Sequence, residues 1–309
     1  MTVDLTGQAV IVTGAGRGLG RLYALDLASR GASVVVNDLG GSMAGDGADA
    51  TVAEAVVAEI AAAGGTAVAS HDSVDTPAGG AAIVEAALDA FGRLDAVISN
   101  AGIFHTAPFD ELTAEEWQRM LRVHLDGAFH VSQPAYRHLK ANGGGRFVFA
   151  ASSAGLFGQP NSAHYAAAKA GTLGLANVIA IEGAEHGIRA NCVLPFGYSR
   201  MVYELIGPRE DLEPDPGFLH AIEPELVVPL VTYLASPSCD LTHQSFSACA
   251  GRFARVFVGL ADGWVADGAQ PTADDVLAHV AELTAAEPYT IPSSIFDEVT
   301  AVCTRLGIG

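Results

Sequence analysis

Lysine is nearly missing from this 309-residue chain: Lys140 and Lys169 are the only two. All cations together number 16 against 35 carboxylates, a formal charge of −19. So sparse a set cannot build a phosphate-neutralising face, which excludes nucleic acid as a partner. The four cysteines, Cys192, Cys239, Cys249 and Cys303, lie far apart with no C-x-x-C pair. Neither a zinc site nor a disulfide framework is expected from them; no metal is expected at all, and the thiols should be reduced. Mean hydropathy is +0.31, yet no apolar run approaches the roughly 18 residues a membrane span needs. Residues 1–7 lack the basic and apolar regions of a secretory leader. Hydrophobic residues at 50% exclude disorder. The expectation is a soluble, cytoplasmic, globular protein.

Short Val/Ile-rich runs are present at 9–13, 33–37, 66–69, 96–99, 146–151 and 189–194. They are continuous rather than alternating, as strands buried on both faces are. Between them lie stretches of helical period at 18–30, 50–63, 77–91, 114–140 and 163–186. Thr76-Pro77 reads as N-cap plus first-turn proline, and Thr113 with Glu116 as a capping box. Gly31, Gly64 and Gly187 fall where helix C-caps belong. This alternation predicts an α/β fold, a doubly wound parallel sheet (Rossmann fold) of about seven strands, the seventh at 244–250. A Pro- and acid-rich loop is expected at 207–217 and a helix at 224–235. Two further helices, 272–286 and 294–306, make a C-terminal helical extension. The expected organisation is residues 1–250 as a dinucleotide-binding domain, with 251–309 packed on it.

The run Thr13-Gly14-Ala15-Gly16-Arg17-Gly18-Leu19-Gly20 joins the first strand to the first helix. Its glycines permit a sharp turn and close approach of backbone to a pyrophosphate, which then faces the helix's positive end. Asp38 ends the second strand, about 20 residues on, where a carboxylate accepts hydrogen bonds from ribose hydroxyls and repels a 2′-phosphate. NAD is therefore expected over NADP, although Arg17 beside the loop could pair with that phosphate.

Tyr165 and Lys169 are four apart in a helical stretch and so share one face. A phenol is a poor base at neutral pH, and a nearby ammonium makes it a better one. Ser152, 13 residues earlier at a strand tip, can hold a substrate oxygen beside the phenol. Ser153 remains an alternative that spacing does not exclude.

Thr13–Gly20, Ser99-Asn100-Ala101-Gly102, Ser152 and Tyr165-x-x-x-Lys169, in this order, resemble the short-chain dehydrogenase/reductase family over roughly residues 5–250. The resemblance implies Tyr165 as acid/base, Lys169 as ribose holder and tuner of Tyr165, and Ser152 as substrate orienter. It places Asn100, Ala101, Gly102 and Pro195 at the cofactor, and Asp72 and Ser73 beside adenine. Three departures stand out: Ser99 replaces an Asn, His124 occupies the place of a fourth catalytic residue that is usually Asn, and Pro195-Phe196-Gly197 replaces Pro-Gly. An imidazole at 124 is either catalytic, adding a pH dependence around 6–7, or a packing residue.

Segments 36–41, 122–125, 174–177, 180–183, 199–201 and 224–231 are similar to the (3R)-hydroxyacyl-CoA dehydrogenase (17β-hydroxysteroid dehydrogenase) domain of peroxisomal multifunctional enzymes, in which a histidine at the His124 position is usual. The implied reaction is NAD-dependent interconversion of a (3R)-hydroxyacyl-CoA and a 3-oxoacyl-CoA. Arg200, Arg209, Arg252 and Arg255 are the candidate CoA-phosphate partners. Alternatives are a dehydrogenase of a free steroid, sugar or small alcohol, and a non-catalytic NAD-binding scaffold. A homodimer or homotetramer is expected through helices 114–140 and 163–186. The chain ends Gly307-Ile308-Gly309 and not Ser-Lys-Leu, so no peroxisomal address is expected.

Overall fold

Val- and Ile-rich runs with no polar face can lose their backbone to water only inside a sheet covered on both sides. In the computed structural model, which describes residues 2–198, 202, 217–266 and 270–307, they do so. β1 (Ala9–Thr13), β2 (Ser33–Asn37), β3 (Thr66–Ser70), β4 (Ala96–Ser99), β5 (Gly145–Ala150), β6 (Ile188–Phe196), β7 (Gln244–Cys249) and β8 (Arg252–Val256) form one sheet in the order β3-β2-β1-β4-β5-β6-β7-β8. β1 to β7 pair in parallel. The chain crosses from β3 back past β1 to β4, so the connections after β1 and β4 run in opposite directions and leave a crevice at the strands' carboxyl ends.

The covering helices are α1 (Gly18–Ser29), α2 (Thr51–Ala62), α3 (Pro77–Phe91), α4 (Ala114–Leu121), α5 (Gly127–Ala141), the short α6 (Ala154–Phe157), α7 (Ala163–Gly183), α8 (Gly217–Ala221) and α9 (Val228–Ala235). The expected caps form: Thr76 accepts from Gly79 N–H, and Thr113 and Glu116 close a capping box. Gly31, Gly64 and Gly187 take φ of 94°, 84° and 72°.

The helix expected at 114–140 is a single rod with a π turn, Arg122–Asp126, between α4 and α5. Pro134 lies inside α5 and has no N–H for the carbonyl four residues back, that of His130. That carbonyl faces α3 at Gly80, where a Cβ would sit 2.3 Å from its oxygen. The two helices therefore meet at backbone distance.

Two expectations need correction, and one small sheet was not expected. The sheet has eight strands, not about seven: Arg252-Phe253-Ala254-Arg255-Val256 lacks a continuous apolar run because it is the exposed edge. The helix expected at 272–286 is broken into α10 (Ala273–Ala278) and α11 (Val280–Leu283). At the break the His279 ring stacks on Trp264, centroids 4.2 Å apart. A two-stranded antiparallel sheet of β9 (Leu260–Ala261) and β10 (Tyr289–Thr290) went unforeseen, being too short for periodicity to register. α12 (Ile295–Leu306) closes the chain as expected. By contacts the chain forms two compact units, Met1–Arg255 and Val256–Gly309. The loop expected at 207–217 and residues Arg200 and Arg209 lie outside the described residues.

β7 and β8 are joined by two residues, Ala250 and Gly251, with φ of 52° and 75°. Positive φ at both positions is the signature of a type I′ hairpin, in which Asn-Gly is preferred. Ala250→Asn should therefore raise stability by about 1 kcal/mol and Tm by about 2–4 °C, measured by calorimetry.

Candidate active site

The crevice at the switch point is fixed by side chains that bind backbone. Thr13 Oγ1 accepts the N–H groups of Asn100 and Ala101, each at 3.0 Å. Asn100 Nδ2 donates to the carbonyls of Thr13 (3.0 Å) and Gly14 (3.1 Å). The glycine loop after β1 is thereby tied to the loop after β4. A Cβ on Gly14 would lie 2.7 Å from Ala101 Cα, and one on Gly20 only 2.1 Å from Gly14 O. The N-terminus of α1 has no side-chain cap and no acid in its first turn. Its dipole and free N–H groups therefore face the cavity uncompensated, as a phosphate requires. The cradle fits a dinucleotide.

Asp38 Oδ2 accepts Gly16 N–H at 2.8 Å and its Oδ1 accepts Gly40 N–H at 2.7 Å. Both oxygens retain lone pairs for further donors. Gly16 lies beneath the carboxylate, where a Cβ would crowd it at 2.9 Å. Arg17 Nη1 donates to Gly41 O at 3.1 Å. Asn37 Nδ2 holds the backbone of Asp72 (2.9 Å), whose carboxylate accepts from Ser70 Oγ, and Ser73 Oγ donates to Asp75.

At the other end of the same crevice, β5 delivers Ser152 and α7 delivers Tyr165 and Lys169. Ser152 and Tyr165 line the same cavity, and the serine hydroxyl eases ionisation of the phenol. Ser152 lines the cavity and Ser153 does not. Lys169 Nζ donates to Ala150 O at 2.5 Å and lies 5.7 Å from the Tyr165 ring centre. His124 rises from the π turn and meets Tyr165 edge-on at 5.2 Å; Phe104 does so at 5.7 Å. His124 Nε2 lies 2.7 Å from Ile103 O and 3.1 Å from Ile103 N, so the imidazole braces the loop after β4. Gly102 makes room for it: a Cβ there would be 2.3 Å from the ring.

Burial governs the proton affinities. It pushes Tyr165 above the usual phenol range, with the Ser152 hydrogen bond acting the other way. The ease of ionisation expected from Lys169 does not prevail in the free protein. Burial lowers Lys169 itself to about 8. His124 is held well below the usual imidazole range by burial and then by the charge of Lys169. Burial thus opposes the charged imidazole on which the pH dependence expected around 6–7 relies.

Gly14, Arg17, Gly18, Leu19, Gly20, Asp38, Asp72, Ser73, Asn100, Ala101, Gly102, His124, Ser152, Tyr165, Lys169 and Pro195 all line one cavity of about 350 Å³. Sequence reasoning missed Leu39, Gly41, Ser42, Gly45, Phe104, Val123, Gln159 and Val202 on its walls. The glycines at 40, 41, 45 and 47 were the available signal for the first four. Among the described residues no helix is long and apolar enough to cross a membrane, and no three His, Cys, Asp or Glu side chains group as metal ligands.

A glycine cradle at the switch point of a parallel sheet, with a Ser-Tyr-Lys group at its far end, defines a dinucleotide-dependent oxidoreductase acting on CH–OH groups. The family profile described as short chain dehydrogenase matches residues 8–202, and the chain belongs to the short-chain dehydrogenase/reductase family, whose members use NAD(P). A short-chain type dehydrogenase/reductase of Mycobacterium tuberculosis is 43% identical over 277 residues, 90% of this chain and 94% of the relative. A hydroxyacyl-CoA dehydrogenase of the same organism is 37% identical over 77% of this chain and 75% of its own. The full-length peroxisomal multifunctional enzyme type 2 of Drosophila melanogaster superposes with a TM-score of 0.81 at 30% identity, covering 99% of this chain. The chain spans half the length of that larger protein.

An ammonium whose affinity falls from 10.5 to about 8 on folding costs the charged fold about 3 kcal/mol. Between those values the unfolded chain holds the proton and the fold has released it, so the penalty, full below pH 8, fades as pH rises to 10.5. Lys169→Met should be more stable than the parent at pH 7 by about 1–3 kcal/mol in urea unfolding. That advantage should disappear by pH 10.5.

Proposed function

We propose that the protein is an NAD-dependent dehydrogenase that interconverts a (3R)-hydroxyacyl-CoA and the 3-oxoacyl-CoA. The observation that carries the chemistry is that Ser152, Tyr165 and Lys169 line one end of a single cavity, with Lys169 Nζ 5.7 Å from the Tyr165 ring centre and Asp38 on the same cavity's wall. Asp38 supports NAD, since its carboxylate faces the ribose end while Arg17 is engaged by Gly41 O. Gly14, Gly18 and Gly20 with the start of α1 would hold the pyrophosphate, and Asp72 and Ser73 the adenine end. When bound, the nicotinamide supplies the hydride acceptor.

The protein's own part is to place an oxygen and move a proton. Ser152 Oγ and Tyr165 Oη hold the substrate hydroxyl oxygen between them. Its proton passes to Tyr165 Oη, and in the reverse direction Tyr165 protonates the ketone oxygen. Lys169 stabilises the phenolate by charge against the burial that disfavours it. His124, neutral, keeps the loop after β4 in place through Ile103.

Phe104 packs on Tyr165, and Val123, Phe196 and Val202 add apolar surface to the cavity walls, with Gln159 also lining it. This suits an acyl chain or a steroid-like ring. Support for the thioester comes from the hydroxyacyl-CoA dehydrogenase relative. Arg252 and Arg255 on β8 are the candidate phosphate partners among the described residues. The second reading, a free steroid or small alcohol, is favoured by the cavity walls, on which Arg17 and Lys169 are the only lysine or arginine among the described residues.

A substrate panel decides. The thioester should surpass its CoA-free alcohol in kcat/KM by at least tenfold, with NAD preferred over NADP. Tyr165→Phe should lower kcat by about 10²–10⁴ while NADH still binds. Equal rates for thioester and free alcohol point to the second reading, and an active Tyr165→Phe removes the mechanism.

Self-association is proposed through α5 and α7, where Phe129, Val178 and Ile181 are 44%, 50% and 48% exposed. Water contact on three large apolar side chains marks an interaction face. Light scattering at micromolar concentration should give two or four chains, and Val178→Glu with Ile181→Glu should reduce that mass.

A further inference from the structure

The chain between Asp38 and α2 makes a detour. Its neck is closed where Asp49 N–H donates to Leu39 O at 2.9 Å, with Gly40 at φ +81° in a position where a Cβ would lie 2.1 Å from Asp49 O. The tip is an ordered turn: Ser42 N–H donates to Asp46 O (2.8 Å) and Gly45 N–H to Ser42 O (3.0 Å), while Ser42 Oγ accepts Asp46 N–H (3.1 Å).

This loop is tethered to three separate elements. Arg17 of the glycine loop holds Gly41 O. Phe104 N–H, from the loop after β4, donates to Met43 O at 2.9 Å. Arg119 of α4 forms an ion pair with Asp46. The tip also lies on Ile103, whose Cγ2 would be 2.9 Å from a Cβ at Gly45. Leu39, Gly41, Ser42 and Gly45 line the cavity. The detour therefore bridges the two banks of the crevice above the cradle, with its far tether on Phe104, the residue packed on Tyr165.

We propose that residues 39–49 are a strap that retains the dinucleotide, and that Arg119, outside the cavity, is a positioning residue that holds the strap down through Asp46. A ligand lying from Asp38 to Tyr165 passes beneath the bridge, so its release requires the Met43–Phe104 and Asp46–Arg119 contacts to part. This rests on the cofactor reading above.

The test is stopped-flow release of NADH, followed by its fluorescence after mixing with excess NAD. The Asp46–Arg119 pair is partly exposed, 66% and 37%, so Asp46→Asn and Arg119→Gln should each speed release by about two- to fivefold. Tm should stay unchanged, and the difference from the parent should shrink at high salt. The swapped pair, Asp46→Arg with Arg119→Asp, should restore slow release. Parent-like release from both single variants at low salt, or fast release that the swap fails to correct, overturns the strap alone. Parent protein that gives no NADH signal overturns the cofactor reading along with it.

Discussion

Five consecutive residues, Asn100 to Phe104, bind one wall of the crevice to every other part of the site. Asn100 grips the carbonyls of Thr13 and Gly14, and Ala101 lies against Gly14 at a distance only glycine allows. Gly102 and Ile103 receive the His124 ring. Phe104 touches Tyr165 by its ring and Met43 by its backbone. The underlying constraint is divergence of connections at the switch point, which opens a cleft but supplies nothing to hold its sides at a fixed width. Backbone-directed side-chain bonds supply it. A hydroxyl or amide bound to backbone cannot drift as a side-chain pair can, so cradle and phenol keep one separation.

The site is also where the fold is least comfortable. An ammonium, a phenol and an imidazole sit close together on one cavity wall, and burial is the leading influence on each. None is in its preferred protonation environment. A core of Leu or Met there would be more stable and chemically inert. Lys169 is tolerated because it donates a hydrogen bond to Ala150 O. His124 is tolerated because it remains neutral and makes its bond to Ile103. Stability is given up locally, beside a sheet whose central strands are largely hydrocarbon.

Much of this was legible in the sequence, for identifiable reasons. Parallel strands buried on both faces carry apolar runs without alternation, so β1 to β6 could be read directly. β8 could not, because its alternation of Arg252, Phe253 and Arg255 serves an exposed edge. The length of the α4–α5 rod was visible but not its π turn, which leaves hydrophobic spacing nearly intact. Ser152, Tyr165 and Lys169 are separated by 13 and four residues, within the reach of local pattern. Asp46 and Arg119 are 73 apart, and nothing in either neighbourhood announces the other. The protonation of His124 was misjudged because a sequence does not display solvent access. Its identity was readable and its surroundings were not.

The contact between Gly80 and the His130 carbonyl has a mechanical consequence for chemistry some distance away. A carbonyl deprived of its helical partner by Pro134 protrudes from α5 like a tooth, and the bare backbone at Gly80 is the notch that receives it. Two smooth helices can creep along one another by small repacking steps; a tooth in a notch cannot. The rod that carries this detent also carries the π turn bearing His124. Sliding that would pull the imidazole off Ile103 and loosen the segment beneath the phenol is thereby arrested from the outer layer of the molecule, at a point that touches no ligand.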